Sequence, residues 1–323
     1  MPPQGLDLAL ISEEMAKVEG AIQSAVSTDD ARLKEAALHL IVAGGKRYRP
    51  ALGVTIYRAL GGPRIEEMVP VAAAIELIHT ATLIHDDIND RSTTRRGIVT
   101  THRRYGRSRA LVAGDFLFAR AFGMVGNVDP QVIDIAARAC TELAEGEFLQ
   151  LQYPIGRMTE QTYLRMVSLK TGSLMRAGAE AATVLAKAPP PQVEGMTRYG
   201  HAVGVGFQIA DDYLDVLGGN GWGKPLGADM LQGKATLVGV HALAQVSGKD
   251  RKTLLAAHAR NGKGRPYIAR AIKIMDRCGS LDHARTVARR YISEAQQELR
   301  QLPATPYRRQ LDALTTYAVG REV

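Results

Sequence analysis

The chain has 323 residues, 46% of them hydrophobic, and a formal net charge of +8. That length supports a sizeable core, and two cysteines without metal-ligand spacing, Cys140 and Cys278, exclude both a disulfide scaffold and a zinc module. A basic chain raises nucleic acid as a partner, but the basic residues read as dispersed and no aromatics alternate with them as a stacking surface requires, so no nucleic acid is expected.

No basic region precedes Asp7, Glu13 and Glu14, which argues against a signal peptide, and no apolar run reads as a membrane span. The expectation is a cytoplasmic, reduced protein. In chain order, apolar residues recur at a helical period over residues 7–26 and again over 29–42, where Gly44-Gly45 gives a C-cap signal. Gly45-Lys46-Arg47-Tyr48-Arg49-Pro50 then sets three cations at a helix start, a pattern suited to a diphosphate or, more blandly, to a basic cap facing water.

Residues 65–88 read as one long apolar helix in which His79 is the odd member, and a lone histidine there is more often a core residue than a ligand. The helix ends in His85-Asp86-Asp87-Ile88-Asn89-Asp90. Asp86 and Asp90, four apart, share a helix face, Asp87 sits beside them, and no cation inside the stretch relieves their repulsion. Oxygen-only ligands of this kind point to Mg²⁺. Taken alone, a solvated helix end explains them as well. Arg95-Arg96-Gly97 follows, as salt-bridge partners or as a phosphate fork.

Further helices are expected over 111–125, 131–152, 159–170, 173–187 and 193–217, with a break at Lys170-Thr171-Gly172 that exposes an ammonium and a hydroxyl. The last of them carries Gln208 and a second set, Asp211-Asp212-Tyr213-Leu214-Asp215, which repeats the spacing of the first. Two such sets, each ending an apolar helix, imply carboxylates aimed at one cavity. Residues 218–234 read as an irregular glycine-rich lid bearing Lys224 and Lys234. Four or five helical stretches with basic faces complete the chain and read as packing. No strand pattern appears, and the fold expected is an all-α, single-domain bundle of ten or more helices around a central apolar cavity, spanning residues 1–323.

Taken together, the two aspartate sets, Gly44-Gly45-Lys46-Arg47-Tyr48-Arg49-Pro50, His79, Arg95-Arg96-Gly97, Gly114-Asp115, Lys170-Thr171, Gln208, Gly223-Lys224-Pro225 and Lys234 resemble, in order, the motifs of the trans-isoprenyl diphosphate synthases, or polyprenyl synthetases. The resemblance covers residues from about 30 to 320. It implies that Asp86, Asp90 and Asp211, assisted by Asp87 and Asp215, hold about three Mg²⁺ ions against an allylic diphosphate, with Asp212 among the catalytic carboxylates. It gives Arg95, Lys170, Thr171, Gln208, Lys224 and Lys234 to that diphosphate, and Gly45, Lys46, Arg49, His79 and Arg96 to isopentenyl diphosphate. It also implies a homodimer, with at most peripheral membrane contact for product release.

The resemblance extends to product length. Ala81 and Thr82 lie about one turn before Asp86, and Ile78 another turn deeper. Bulky aromatics tend to occupy these places in short-chain members of the family, so small residues here imply products of roughly C30 to C50, with geranylgeranyl (C20) or farnesyl diphosphate as the alternative. The tunnel floor is expected among Ile133, Ala137, Cys140 and Phe148. A class I terpene cyclase is the rival enzyme, but its second metal motif normally mixes Asn, Ser or Thr with Glu. A non-catalytic subunit of a two-component synthase is the rival binding protein, but such subunits usually lose carboxylates that are all present here.

Overall fold

A computed structural model of the protein describes residues 8–218, 226–259 and 263–319. It is all-α, as expected, and its contacts sort into two compact units. The first comprises residues 1–140, 174–200 and 298–314, and the second residues 141–173, 201–297 and 315–323.

The first unit holds α1 (Ser12–Ala25), α2 (Ala31–Val42), α3 (Tyr48–Ala59), α4 (Ile65–Asn89), α5 (Thr101–Tyr105) and α6 (Arg107–Val125). It also takes the first half of α7 (Pro130–Gln152), nearly all of α9 (Ser173–Leu185), the start of α10 (Pro190–Leu217) and most of α16 (Pro306–Val319). α2 begins where the Asp30 carboxylate accepts hydrogen bonds from the Arg32 and Leu33 N–H groups at 2.9 and 3.0 Å, which also lower its pKa. α10 begins on Pro190, whose missing N–H costs nothing at a helix start. α4 packs on α1, α3 and α6. By length and composition it would pass for a membrane span, contrary to the sequence expectation, but 67% of its most apolar window is buried and it serves as the core helix of this unit.

One short hairpin escaped the helical reading. β1 (Thr94–Arg95) pairs antiparallel with β2 (Ile98–Val99), and the turn between them places Arg96 at φ 51° and Gly97 at φ 78°. Two left-handed residues are what a tight two-residue hairpin turn demands. Strands this short leave no alternation for a sequence to display.

The second unit contains the rest of α7 and α10, with α8 (Glu160–Val167), α11 (Ala228–Leu231), α12 (Leu237–Gln245), α13 (Gly248–Ala257), α14 (Ile268–Arg277) and α15 (Ser280–Glu298). Thr159 and Thr236 cap α8 and α12 by accepting from the Thr162 and Gly239 N–H groups at 3.1 and 3.2 Å. Between α8 and α9 the chain does not break as expected but passes through a π turn, Ser168–Gly172. The expected lid at 218–234 is partly ordered as α11, while Lys224 and residues 219–225 lie outside the described residues.

Candidate active site

In the first unit the expected anion grip is a real cluster. α3 starts at Arg47, held at φ 48°, and the guanidinium is clamped between two carboxylates: Nε and NH2 donate to Glu19 at 3.0 and 3.2 Å, and NH1 donates to Glu76 at 2.9 Å. Burial opposes the charge on Arg47, but the bonds to Glu19 and Glu76 more than restore it. Arg47 is therefore structural. Arg96 donates to the Leu40 carbonyl at 2.8 Å and lies 3.8 Å from Glu76.

Arg49 is lowered by burial, with Glu76 acting against the fall, and its buried Nε has no hydrogen-bond partner. His79 is lowered well below the usual imidazole range, first by burial and then by the charges of Arg49, Arg96, Arg95 and Arg47. It is thus a neutral imidazole facing a guanidinium cluster. Gly45 leaves room for that cluster: a Cβ there would stand 3.0 Å from Arg96 NH2.

Glu76, only 3% exposed, is the residue that sequence reasoning missed. The clue was available: it is the one acid in the apolar stretch between Glu67 and Asp86.

The first aspartate set divides its labour. Asp87 is 1% exposed and accepts from Arg95 Nε and NH2 at 3.0 and 2.6 Å, so it orients Arg95. Those bonds and the nearby Asp86 and Asp90 outweigh burial and raise the Arg95 pKa. Asp86 and Asp90 stay partly exposed. Gly114 on α6 lets His85 approach, since a Cβ there would meet its Nε2 at 2.2 Å.

The second unit repeats the division. Asp212 is 4% exposed and accepts hydrogen bonds from the Tyr163 hydroxyl and, at 2.9 Å, from Gln208 Nε2. Burial pushes its pKa well up, with Asp229 and Asp211 adding to the rise. The chain continues outward: Thr171 donates to Gln208 Oε1 at 3.1 Å. Asp211 and Asp215 remain partly exposed. Asp215 has a second duty, accepting from the Asp229 N–H at 3.2 Å at the start of α11. The Lys234 N–H closes the same segment by donating to the Asp229 carbonyl at 2.9 Å. Tyr163, which anchors the chain, carried no sequence signal beyond its place on α8.

The π turn presents Lys170 and Thr171 together. Lys170 Nζ donates to Glu147 and, at 3.2 Å, to Gln150, both on α7. The turn presses on α7 at Gly146, where a Cβ would come 2.7 Å from the Lys170 backbone nitrogen. Gly146→Ala is therefore expected to destabilise by about 1–3 kcal/mol, read as a fall in Tm. A melt like the parent's would mean that the turn yields without cost.

Of the product-length residues, Ile78 and Ala81 are 2% and 0% exposed, and Thr82 donates to the His79 carbonyl at 2.7 Å. Ile78 lines a wholly apolar cavity of about 20 Å³ with Ala74 of α4, Val125 of α6, Ile135 of α7 and Ala177 and Ala181 of α9. That volume admits about one water-sized guest. Val132, Ile135 and Ala136 are the α7 residues that line the cavity, and Phe148 is 69% exposed.

Among the described residues no three His, Cys, Asp or Glu side chains converge to cage a metal ion. A zinc site would need such a cage. Mg²⁺ does not, because one or two carboxylates suffice when water and substrate phosphates complete its shell. The partly exposed pairs Asp86/Asp90 and Asp211/Asp215 fit that requirement.

The comparisons agree with this chemistry. Residues 30–275 match the family described as Polyprenyl synthetase. The octaprenyl diphosphate synthase of Escherichia coli strain K12 is 35% identical over 97% of each chain, and the geranylgeranyl diphosphate synthase of Methanosarcina mazei is 33% identical over 97% of each. A crystal structure of a polyprenyl synthase from Caulobacter crescentus CB15, complexed with calcium and isoprenyl diphosphate, superposes with a TM-score of 0.91 at 36% identity, covering 98% of this chain and 97% of that one. With helices, aspartate sets and basic cluster all in place, this chain belongs to the polyprenyl synthetase family of prenyltransferases.

Proposed function

We propose that this protein condenses isopentenyl diphosphate with an allylic diphosphate, using Mg²⁺, to make an all-trans polyprenyl diphosphate of roughly C30 to C50. The observation that carries the reading is the division of labour in both aspartate sets. One carboxylate of each is buried to orient a neighbour, and two are left partly exposed for a cation.

Asp86, Asp90, Asp211 and Asp215 would be the ligands of Mg²⁺. The bound ion supplies charge neutralisation that lets diphosphate leave. Arg95, Lys170, Thr171, Gln208, Lys224 and Lys234 bind the allylic diphosphate, and Gly45, Lys46, Arg49, His79 and Arg96 bind isopentenyl diphosphate. Neutral His79 and the unpartnered Arg49 Nε offer hydrogen bonds to it without further desolvation. The allylic C–O bond breaks, the isopentenyl double bond attacks the cation, and the departing diphosphate takes the released proton. Binding holds the two reacting groups together, which supplies much of the acceleration.

The long product is supported by Ala81 and Thr82 before Asp86 and by the alanine-lined space below Ile78. The small size of that space favours a C20 product as the second reading. A homodimer is supported by the solvent face of α6, where Leu111 and Val112 are exposed and Phe116, Phe118 and Phe122 half-exposed. A cytoplasmic setting is supported by the free thiols of Cys140 and Cys278. One domain over 1–323 is supported by the course of the chain, which passes between the units inside α7, α10 and α15 rather than in linkers.

The test is incubation with isopentenyl and farnesyl diphosphates plus Mg²⁺, followed by chain-length analysis. Products of roughly C30 to C50 are expected, and Ala81→Tyr is expected to shorten them by filling a fully buried position with an aromatic ring. Unchanged length in the variant would remove Ala81 from the path of the tail. No condensation by the parent would end the reading.

A further inference from the structure

The surplus charge of this protein is not dispersed. Residues 248–297 hold twelve lysines and arginines against four aspartates and glutamates, a net +8 that equals the surplus of the whole chain and leaves the remainder balanced. That segment runs through α13, a short turn at Arg265–Tyr267, α14 and α15, all in the second unit.

The fold sorts these residues by face. α13 and α14 pack together, burying Leu254 and Ala257 on one and Ile268, Ala271, Ile274 and Met275 on the other. Lys252, Arg265, Arg270 and Lys273 are left exposed. Arg270, Lys273 and Arg277 recur at helical spacing along one side of α14. Arg277 bonds Asp250 at 2.6 Å, joining the start of α13 to the end of α14 and absorbing one of the four acids. Arg285 pairs with Asp282 and Arg290 with Glu294, at 2.5 and 3.6 Å, so three of the four acids carry a basic partner. Within the cations two large side chains stand out to solvent, Leu255 at 38% and Tyr267 at 39%.

We infer that this face docks the enzyme on a membrane surface bearing anionic phospholipid. Lysines and arginines at a helix surface with interspersed aromatic and leucine side chains match the charge and the apolar boundary of such a surface. The purpose rests on the proposed activity: an isoprenyl diphosphate is an amphiphile whose tail leaves water for lipid. A nucleic-acid partner fits less well, because Tyr267 on its turn and Tyr291 on α15, the latter covered by Arg290, form no row of aromatics for stacking bases.

The test is co-sedimentation of the full chain with phosphatidylcholine vesicles, with and without about a third of phosphatidylglycerol, beside a titration with duplex DNA. Binding is expected only to the anionic vesicles and should fall steeply with added salt. K252E/R265E/R270E/K273E should lose it by about a hundredfold or more, since each surface cation contributes roughly fivefold. Its melt and its condensation rate in vesicle-free buffer should match the parent's, because none of the four is assigned to the substrates. Equal binding to both vesicles, no binding to the anionic ones, retention by the variant, or tighter binding to DNA would each overturn the inference. Condensation by the parent is assayed separately, so its failure would sink the proposed activity and leave the vesicle result standing.

Discussion

Asp86→Ala and Asp211→Ala should each lower condensation by about a thousandfold or more while leaving the melting temperature close to the parent's. Asp86 lies in the last turn of α4 and Asp211 within α10, and both are only partly buried, so removing either exposes no core. On the proposed function, what is lost is a ligand for a cation that stabilises charge on the departing diphosphate, and charge stabilisation of that kind is usually the largest single contribution to a rate. Asp87→Ala and Asp212→Ala supply the contrast. Each removes the acceptor for a buried donor set, Arg95 in one case and Tyr163 with Gln208 in the other, so stability should fall along with activity. Steady-state kinetics and thermal melts on the four variants separate the two classes. Near-normal turnover in Asp86→Ala or Asp211→Ala would overturn the assignment of ligands.

Glu76→Gln should be the most destabilising polar substitution in the first unit, at about 3–5 kcal/mol, and should lower Tm by on the order of 10 °C. Glu76 sits at 3% exposure with the Arg47 guanidinium at 2.9 Å and that of Arg96 at 3.8 Å. Neutralising it leaves buried guanidiniums facing one another with Glu19 as the remaining acid at hydrogen-bond distance from Arg47. Arg47 and Arg96 also hold left-handed backbone, which costs of order 1–3 kcal/mol each and survives only where surrounding bonds enforce it. The same change should raise KM for isopentenyl diphosphate more than it lowers kcat, since the cluster binds and does not react. Glu67→Gln, near the exposed start of α4, should shift the melt by under about 0.5 kcal/mol. A parental melt in Glu76→Gln would show that the arginines hold their places without it.

Much of this was legible in the sequence. The helices at 31–42, 65–89 and 130–152 follow from apolar periodicity within a few residues at each end. The aspartate sets were legible because their spacing repeats. Their internal division was not, since which carboxylate turns inward depends on where Arg95 and Tyr163 arrive from elsewhere in the chain. Glu76 was hidden for the same reason: its partners come from the start of α3 and the hairpin. The basic stretch at 248–297 was hidden in plain view, diluted when charge is averaged over the whole chain.

The π turn at Ser168–Gly172 carries a consequence for how this protein can change. A π turn holds one more residue than the α-helical path it replaces. Drawing the turn into a regular α path with every residue kept would let α8 and α9 fuse into a smooth, better-bonded rod, yet everything on one side would swing by about 100° around the axis. Lys170 and Thr171 would then look away from Gln208. The irregular turn is thus what sets Thr171 against Gln208 and Lys170 against Glu147 and Gln150, at the cost of a less regular hydrogen-bond ladder.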